Sequence, residues 1–480
     1  MKALDLTQGP ITRTLIAFTL PTLGSNALQS LNASVNAIWV GHFLGEAPLT
    51  AATNANMVLF LLMAAVFGVA MATGIMVGQS IGARDMPKAK RVVGSSAVFM
   101  VLLSLATAIF GALTAEPILH LMSTPADAMP YAVSYLRIVF IATPPMFFYI
   151  YAAMVLRAAG DARTPFIFMF VSVGLDIALN PLLIFGVGPL PELGIRGTAL
   201  AMLISQTTTL LAMIVLLYRR KHFLVIHRDE LHFLRLDLSI VRVLMTRGLP
   251  MGLQMLIVSS SMLTLLGLIN SHGTDTSAAF GAAVQVWTYV QMPVFAVGAA
   301  VTAMAAQNIG AGRWERVSQA TWAGVGINAA MTGLVIAVVL IFNRQVLSLF
   351  LPAGSAALPI AEHANLITLW SFLLFGATIV LVSTVRATGA VLGPLFVIFG
   401  SLWLARIPFA YALAPRWGED AIWWSFPVGS IAGVVLGAIY YRWGDWRKVQ
   451  LMSGVGSKRA EQPTGGAEVR ADSSIEGVEK

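Results

Sequence analysis

The sequence predicts an all-α membrane protein with twelve transmembrane helices, arranged as two six-helix lobes related by pseudo-twofold symmetry. Composition, the number of apolar stretches and an internal repeat predict this class. The 480 residues are 57% hydrophobic and 11% charged, with a mean hydropathy of +0.79. A soluble protein carries roughly a quarter charged residues, so this composition places the chain in a lipid bilayer.

Twelve mostly apolar stretches are long enough to cross a bilayer, which takes about 20 residues. The loops after spans 2, 4, 6, 8 and 10, together with both chain ends, hold 25 of the 30 Lys and Arg residues. By the positive-inside rule, both chain ends are predicted to be cytoplasmic. The predicted spans cover approximately residues 12–40, 51–80, 92–114, 131–156, 165–186, 195–218, 243–270, 278–308, 316–342, 361–385, 394–414 and 421–442.

The two halves of the sequence repeat each other at an offset of 228 or 229 residues. The sequence Gln-Ser-Ile-Gly-Ala at Gln79 returns as Gln-Asn-Ile-Gly-Ala at Gln307, and Arg-Ala-Ala-Gly at Arg157 returns as Arg-Ala-Thr-Gly at Arg386. Six helices in each half give both halves the same orientation, with the symmetry axis along the membrane normal. Transporters built from such repeats bind their substrates at the interface between the lobes.

These patterns divide the chain into four segments: an N-terminal lobe (1–218), a linker (219–242), a C-terminal lobe (243–448) and a polar tail (449–480). Alternating apolar and charged residues in the linker predict an interfacial helix on the cytoplasmic surface. Three linker histidines point in different directions on such a helix, which argues against a metal site. The tail lacks apolar periodicity and is predicted to be disordered.

Several function classes are disfavoured. The net charge of +8 comes from basic residues spread over short loops, where an anionic leaflet attracts them, so a nucleic-acid partner is not expected. The chain has no cysteine, which excludes disulfides and thiolate metal sites. Phosphate-loop, zinc-protease and nucleophile-elbow motifs are missing. We therefore expect a protein that is not an enzyme, uses no cofactor and, if it is a pump, draws energy from an ion gradient.

Polar residues within the spans are the candidates for function. The first span carries Ser25, Gln29, Asn32 and Asn36 at spacings of four, three and four, which places all four on one helix face. A polar stripe of this kind is unfavourable in lipid, so it must face protein or a water-filled cavity.

Asp176 is the one carboxylate deep within a predicted span, and Asn180 follows it one helical turn later. An intramembrane carboxylate is a functional candidate, because its burial costs several kcal/mol unless it has a partner. The alternative is a structural residue, neutral or paired with an arginine. The equivalent span of the second half has no acid and contains Arg406, so the ionisable centre is predicted in the N-terminal lobe alone.

Other side chains are candidates for the lining of a substrate cavity between the lobes. Methionine suits adaptable binding surfaces and aromatic faces suit organic cations, although ordinary packing explains each residue singly at least as well. The candidates are Gln29, Asn32, Trp39, Met57, Gln285 and Trp287.

Taken together, the motifs resemble the MATE (multidrug and toxic compound extrusion) family of the MOP flippase superfamily, over about residues 10–445. The resemblance implies a V-shaped inner-membrane antiporter that exports amphipathic, often cationic compounds in exchange for H⁺ or Na⁺. We expect a monomer whose partners are these small molecules and the lipid bilayer. The matching segments are VGQSIGAR from Val77, AQNIGAGR from Ala306, LRAAGD from Leu156, NPLLIFG from Asn180, PELGIRGT from Pro191 and RIP from Arg406.

The family binds its coupling ion in the N-terminal lobe, with an acid on helix 1, an Asn and an acid on helix 5 and a Thr on helix 6. The resemblance carries this site to Asn36, Asp176, Asn180 and Thr198, with H⁺ or Na⁺ at Asp176. Two departures leave the choice of ion open: Asn36 replaces the family's usual aspartate, and the order on helix 5 is Asp then Asn.

Three alternatives remain at this stage. A flippase for lipid-linked sugars belongs to the same superfamily, but polyanionic headgroups typically need arginines, and the spans offer only Arg137 and Arg406. A major-facilitator-type symporter also has twice six helices, but its basic Gly-x3-Asp-x-Gly-Arg loop is missing after helix 2. A channel or membrane receptor differs from a carrier by showing neither saturation nor dependence on an ion gradient.

Overall fold

The computed structural model describes residues 4–44, 46–186, 191–352, 354–449 and 451, and these residues form helices and turns without a β-strand. Apart from Val449 and Leu451, the predicted disordered tail lies outside them. The membrane helices are α1 Ile11–Phe43, α2 Glu46–Gly82, α3 Met86–Leu121, α4 Met129–Ile141 with Thr143–Ala158, α5 Arg163–Phe185, α6 Ile195–Arg219, α7 Leu238–Asn270, α8 Thr274–Gly310, α9 Trp314–Ile341, α10 Ala357–Thr368 with Ser371–Arg386, α11 Leu392–Trp417 and α12 Asp420–Trp443.

The number of helices agrees with the twelve predicted spans. In the described part of the chain, nine helices are each long and apolar enough to cross a membrane. The helices α4 and α10 also meet this condition when the two halves of each bent pair are counted as one span. The remaining helix is α1, which has 33 residues. It is less apolar than the others because its middle carries Gln29, Asn32 and Asn36, the residues of the predicted polar stripe.

The bends in α4 and α10 show the internal repeat in three dimensions. The first is 47° and the second 48°. They fall at Ala142 and at Leu369–Trp370, again about 228 residues apart. In α4 the bend immediately precedes Pro144 and Pro145, whose nitrogens cannot donate helix hydrogen bonds. The second bend has no proline nearby, so the shared shape does not depend on that residue.

The hydrophobic cores show where the lobes meet. We call the side that carries Leu4 and Leu451 the terminal side, and the opposite side the distal side. On the distal side each lobe has a core of its own, around Leu136 in the N-terminal lobe and Trp423 in the C-terminal lobe. Two further clusters, on the terminal side, contain residues of both lobes. Apolar contact between the lobes is therefore concentrated on the terminal side.

The linker differs from the prediction. Residues 219–242 contain a 3₁₀ helix at Arg228–Leu234 and the first turns of α7, which begins at Leu238, but no separate interfacial α-helix. An ion pair of 2.5 Å between Lys90 and Glu230 attaches the 3₁₀ segment to the start of α3. This pairing, which sequence periodicity does not reveal, favours a segment that follows the surface of the N-terminal lobe.

Candidate functional site

Asp176, Asn36 and Asn180 form one hydrogen-bonded cluster between α1 and α5. The Asn36 side-chain amide donates to Asp176 Oδ2 at 2.9 Å, and the Asn180 amide donates to Asn36 Oδ1 at 2.9 Å. Asn180 also donates to the main-chain oxygen of Asp176 at 2.8 Å. Asp176 is 3% exposed and Asn180 is fully buried. The structure thus brings together three of the four residues predicted for the ion site.

The cluster forms because helical spacing aligns its members. Asp176 and Asn180 lie four residues apart, so both project from the same face of α5. That face packs against α1, where the polar stripe presents Asn36 and, one turn earlier, Asn32. The Asn32 amide also interacts with the Asp176 carboxyl. The stripe therefore satisfies part of the hydrogen-bonding capacity of a carboxylate buried within the lobe.

Several oxygen atoms in this region have no hydrogen-bond donor among the described residues: Asp176 Oδ1, Asn180 Oδ1, Asn32 Oδ1 and Thr198 Oγ1. Buried polar atoms are normally satisfied, and exceptions point to an ion, a water or a catalytic role. Oxygen atoms are also the ligands that hard cations prefer. The donor set therefore fits Na⁺, and the carboxylate by itself fits H⁺. Thr198 lies on α6, which packs along α5, and its hydroxyl makes no hydrogen bond to Asp176 or to any other described residue.

The surroundings of Asp176 bear on the structural alternative. None of the ion pairs found among the described residues includes Asp176, so the predicted alternative of an arginine partner is not observed. Tyr135 of α4, which is 6% exposed, lies close enough to interact electrostatically with the carboxylate. Sequence reasoning missed Tyr135, because one tyrosine in an apolar span carries no signal of its own.

The proposed cavity residues fall into different environments. Met57 on α2 is 51% exposed, and Gln285, its repeat equivalent on α8, is exposed as well. Gln29 is exposed on α1, which suits the predicted polar face. Trp39 packs against Phe43 near the distal end of the same helix, with ring centroids 5.1 Å apart.

Trp287 corrects the prediction. It is 1% exposed within the core of the C-terminal lobe, where its indole nitrogen donates to Asn365 Oδ1 at 2.9 Å. The Phe426 ring packs against it with centroids 4.7 Å apart. In this conformation Trp287 has no surface to offer to a substrate, and its role is packing.

The two copies of the repeated Gln-x-Ile-Gly-Ala motif meet each other on the terminal side. Gln79 of the first half donates to the main-chain oxygen of Ala387 at 2.7 Å, and Gln307 of the second half donates to that of Ala158 at 2.7 Å. Each glutamine thus reaches the Arg-Ala-x-Gly motif of the other lobe. The repeat found in the sequence forms a symmetric contact that closes the terminal side.

The segment Leu4–Gly9, which precedes α1, crosses the same contact. Leu4 donates to the Gly160 oxygen of the N-terminal lobe at 3.2 Å, and Leu6 donates to Gln307 Oε1 of the C-terminal lobe at 3.3 Å. Arg316 at the start of α9 donates to two main-chain oxygens of the segment at 2.8 Å. The Leu6 side chain is buried. This segment therefore links the two lobes.

Within the described residues, twelve membrane-length helices in two repeated lobes, with a buried polar cluster inside one lobe, are typical of membrane transporters. The MatE family model matches residues 21–182 and 250–412, one match in each half of the chain. The probable multidrug resistance protein YoeA of Bacillus subtilis (strain 168) is 35% identical over 441 residues, which cover 92% of this chain and 95% of that protein. YpnP, a probable multidrug resistance protein of the same strain, is 30% identical over 94% of this chain and 100% of its own length.

Solved structures agree on the fold. The outward-facing conformation of a multidrug resistance MATE family transporter of the MOP superfamily superposes with a TM-score of 0.85 at 22% identity, covering 92% of this chain and 97% of that one. The chain belongs to the MATE family of membrane transporters. This family is a class of transporters and not of enzymes.

Proposed function

We propose that this protein is an antiporter that exports amphipathic, often cationic organic compounds and draws energy from an inward flow of H⁺ or Na⁺. The observation that carries the coupling is the Asp176 cluster, in which a buried carboxylate has no basic partner among the described residues and its asparagine neighbours carry oxygen atoms without a donor. A cation bound there interacts with a full negative charge and with neutral oxygen ligands. The names of the two Bacillus relatives support drugs or other toxic compounds as cargo.

The conformation supports transport by alternating access. The terminal side is closed by the motif contact, while the distal halves of the lobes have separate cores. The positive-inside rule makes the terminal side cytoplasmic, so this arrangement is open toward the outside of an inner membrane. Cation binding at Asp176 drives the cycle only if it differs in affinity between the two conformations, since a ligand shifts an equilibrium through differential binding alone.

The flippase alternative receives no support from the arginines within the spans. Arg137 lies 3.7 Å from Glu116 at a half-exposed position, and Arg406 is buried inside the C-terminal lobe. A polyanionic headgroup needs several arginines that face one common cavity, and these two residues belong to different lobes.

Everted membrane vesicles test the function directly. A fluorescent cationic dye is loaded by the protein while a pH gradient and a Na⁺ gradient are imposed separately. We expect saturable uptake that one of the two gradients drives and that collapses with its ionophore. Uptake that is indifferent to both gradients, or that grows linearly with dye concentration, contradicts an ion-coupled carrier.

Cysteine labelling tests the orientation. The wild-type chain has no cysteine, so each introduced thiol gives the only signal. Asp275→Cys lies at the distal start of α8 and should react with an impermeant reagent in intact cells. Lys88→Cys lies at the terminal start of α3 and should react only after the cells are opened. The reverse pattern overturns the cytoplasmic assignment of the terminal side.

A further inference from the structure

Arg406 is a buried cation in the middle of α11 that the proposed coupling site does not use. The residue is 7% exposed. Its guanidinium carbon lies 3.6 Å from the centroid of the Phe426 ring, and its Nη2 lies 3.9 Å from Met262 Sδ. No described carboxylate pairs with it, and its Nε has no acceptor among the described residues. A buried charge without an opposite charge is strongly unfavourable.

A second unpartnered polar group lies at the same level of the lobe. Ser261 of α7 is fully buried, and its hydroxyl has no partner among the described residues. The Trp403 indole donates to the Ile257 main-chain oxygen at 3.3 Å, one turn before Ser261, and Met262, the next residue along α7, contacts Arg406. Arg406 and Ser261 therefore lie on the two helices of the α7–α11 contact, within one helical turn of its observed side-chain contacts.

The internal repeat relates this pair to the coupling site. Ser261 is the equivalent of Asn32 at an offset of 229 residues. The same offset relates Asp176 to the residue before Arg406, and the π-helical turn at Gly400–Arg406 accounts for the difference of one, because a π-turn accommodates one more residue than an α-turn. Arg406 thus occupies in the C-terminal lobe the place of Asp176 in the N-terminal lobe, with the opposite charge.

We propose that Arg406 and Ser261 bind a small monovalent anionic group, either chloride or the carboxylate of a transported molecule. A guanidinium supplies several N–H donors and a full positive charge, and is weakly hydrated, which suits a buried anion. The Ser261 hydroxyl supplies one more donor. Phe426 covers one face of the guanidinium, which leaves its edge to donate hydrogen bonds.

Thermal unfolding of the purified protein in detergent tests the site without any transport. At constant ionic strength, we expect chloride in place of the bulky sulfonate MES, which has no carboxylate, to raise the midpoint by about 2–4 °C, since a ligand that binds only the folded state stabilises it by mass action. Acetate and benzoate are tested in the same way, to measure the effect of a carboxylate. A shift with chloride alone identifies an inorganic ion, and a larger shift with a carboxylate identifies the acid group of a cargo molecule.

Variants locate the bound anion. Arg406→Gln should abolish the shift and Ser261→Ala should reduce it, while Arg137→Gln, an arginine on the exposed surface of α4, should leave it intact. If Arg406→Gln does not fold, Ser261→Ala and the wild-type titration still decide. A wild-type protein whose midpoint ignores all these anions overturns the proposal, as does a shift that survives in Arg406→Gln. Because the readout is unfolding, either result is independent of the proposed drug export.

Discussion

The two lobes share one helix scaffold but carry opposite charges at equivalent positions. In the N-terminal lobe the carboxylate of Asp176 accepts a hydrogen bond from the Asn36 amide, and Asn36 in turn accepts one from Asn180. In the C-terminal lobe the corresponding helix carries Arg406, whose neighbours are the Phe426 ring and a methionine sulfur. The terminal-side contact, by contrast, is nearly identical in both halves.

The comparison teaches which parts of a duplicated transporter must stay equal. In the proposed alternating-access cycle both lobes take part in opening and closing, so the surfaces where they meet are constrained by each other and keep the same motif. The contacts described for the polar centre of each lobe join helices of that lobe, which leaves each centre free to diverge. We therefore expect variants of the centres to act on one ion each, and variants of the contact to act alike in both halves.

Asp176→Asn should have the largest effect on transport. If transport were unaffected, the contrast between the two lobes would not hold. The substitution keeps the shape of the side chain but removes its charge, and with it the main attraction for a cation. We expect gradient-driven dye transport in vesicles to fall to background while the protein remains in the membrane. Asp176→Glu should retain partial transport, and Asp275→Asn, at the distal start of α8, serves as the control. Uphill transport at the wild-type rate in Asp176→Asn places coupling elsewhere.

The glycines of the repeated motif test whether the contact is truly symmetric. A Cβ at Gly82 would clash with the main-chain oxygen of Gln307, and one at Gly310 would clash with that of Gln79. Because main chain cannot move aside as a side chain can, each alanine should destabilise the closed terminal side by about 1–3 kcal/mol. Gly267→Ala meets open space and is the matched control.

The closure of this contact is measured with Ser80→Cys. Ser80 is 2% exposed beside the contact, and the introduced cysteine is the only thiol in the sequence. Its labelling by a soluble reagent should accelerate equally in Gly82→Ala and Gly310→Ala. Acceleration in only one of the two variants would show that the halves contribute unequally to closure.

Asn36 sharpens the comparison, because it is one of the two departures from the ion site that the family resemblance implies. Asn36→Leu removes a hydrogen bond to a charged group, worth about 1.5–3 kcal/mol, and should weaken the apparent affinity for the coupling ion about tenfold or more. Asn36→Asp restores a second carboxylate and should keep transport with an altered pH dependence. Wild-type ion dependence in Asn36→Leu would reduce the polar stripe to helix packing.

Most of the architecture could be predicted from the sequence, because lipid permits few structures and the repeat fixes their relation. The polar stripe of α1 and the Asp176–Asn180 pair were predictable as candidates because polar side chains are costly in an apolar span, whereas joining Asn36 to that pair depended on the family resemblance. The sequence does not reveal which apolar residues of a span are buried, since a span is hydrophobic all round. Trp287 was therefore predicted at the cavity but lies in the core of its lobe. Tyr135 and the Lys90–Glu230 pair depend on contacts between distant segments, which periodicity does not encode.

The smallest effect is expected where the lobes anchor their connecting segments. The N-terminal lobe holds the linker by the Lys90–Glu230 ion pair. The C-terminal lobe holds the segment before α1 through Arg316, which donates to two main-chain oxygens of that segment. Glu230→Gln should lower the thermal midpoint by no more than about 1 °C, because ion pairs near water contribute little. Arg316→Gln should lower the midpoint by somewhat more, since it removes two hydrogen bonds that tie this segment to α9.

The pH dependence distinguishes the Glu230 effect from a change in packing. The hydrogen bond from Lys90 lowers the pKa of the Glu230 carboxyl. A carboxyl with a lowered pKa in the folded protein stabilises it above the unfolded pKa, near 4.3 for a glutamate, and loses this contribution as the pH falls through the folded value. The midpoints of wild type and Glu230→Gln should therefore differ by a constant amount at neutral pH and converge in acid. A difference that persists unchanged below the folded pKa assigns the effect to packing and not to the ion pair.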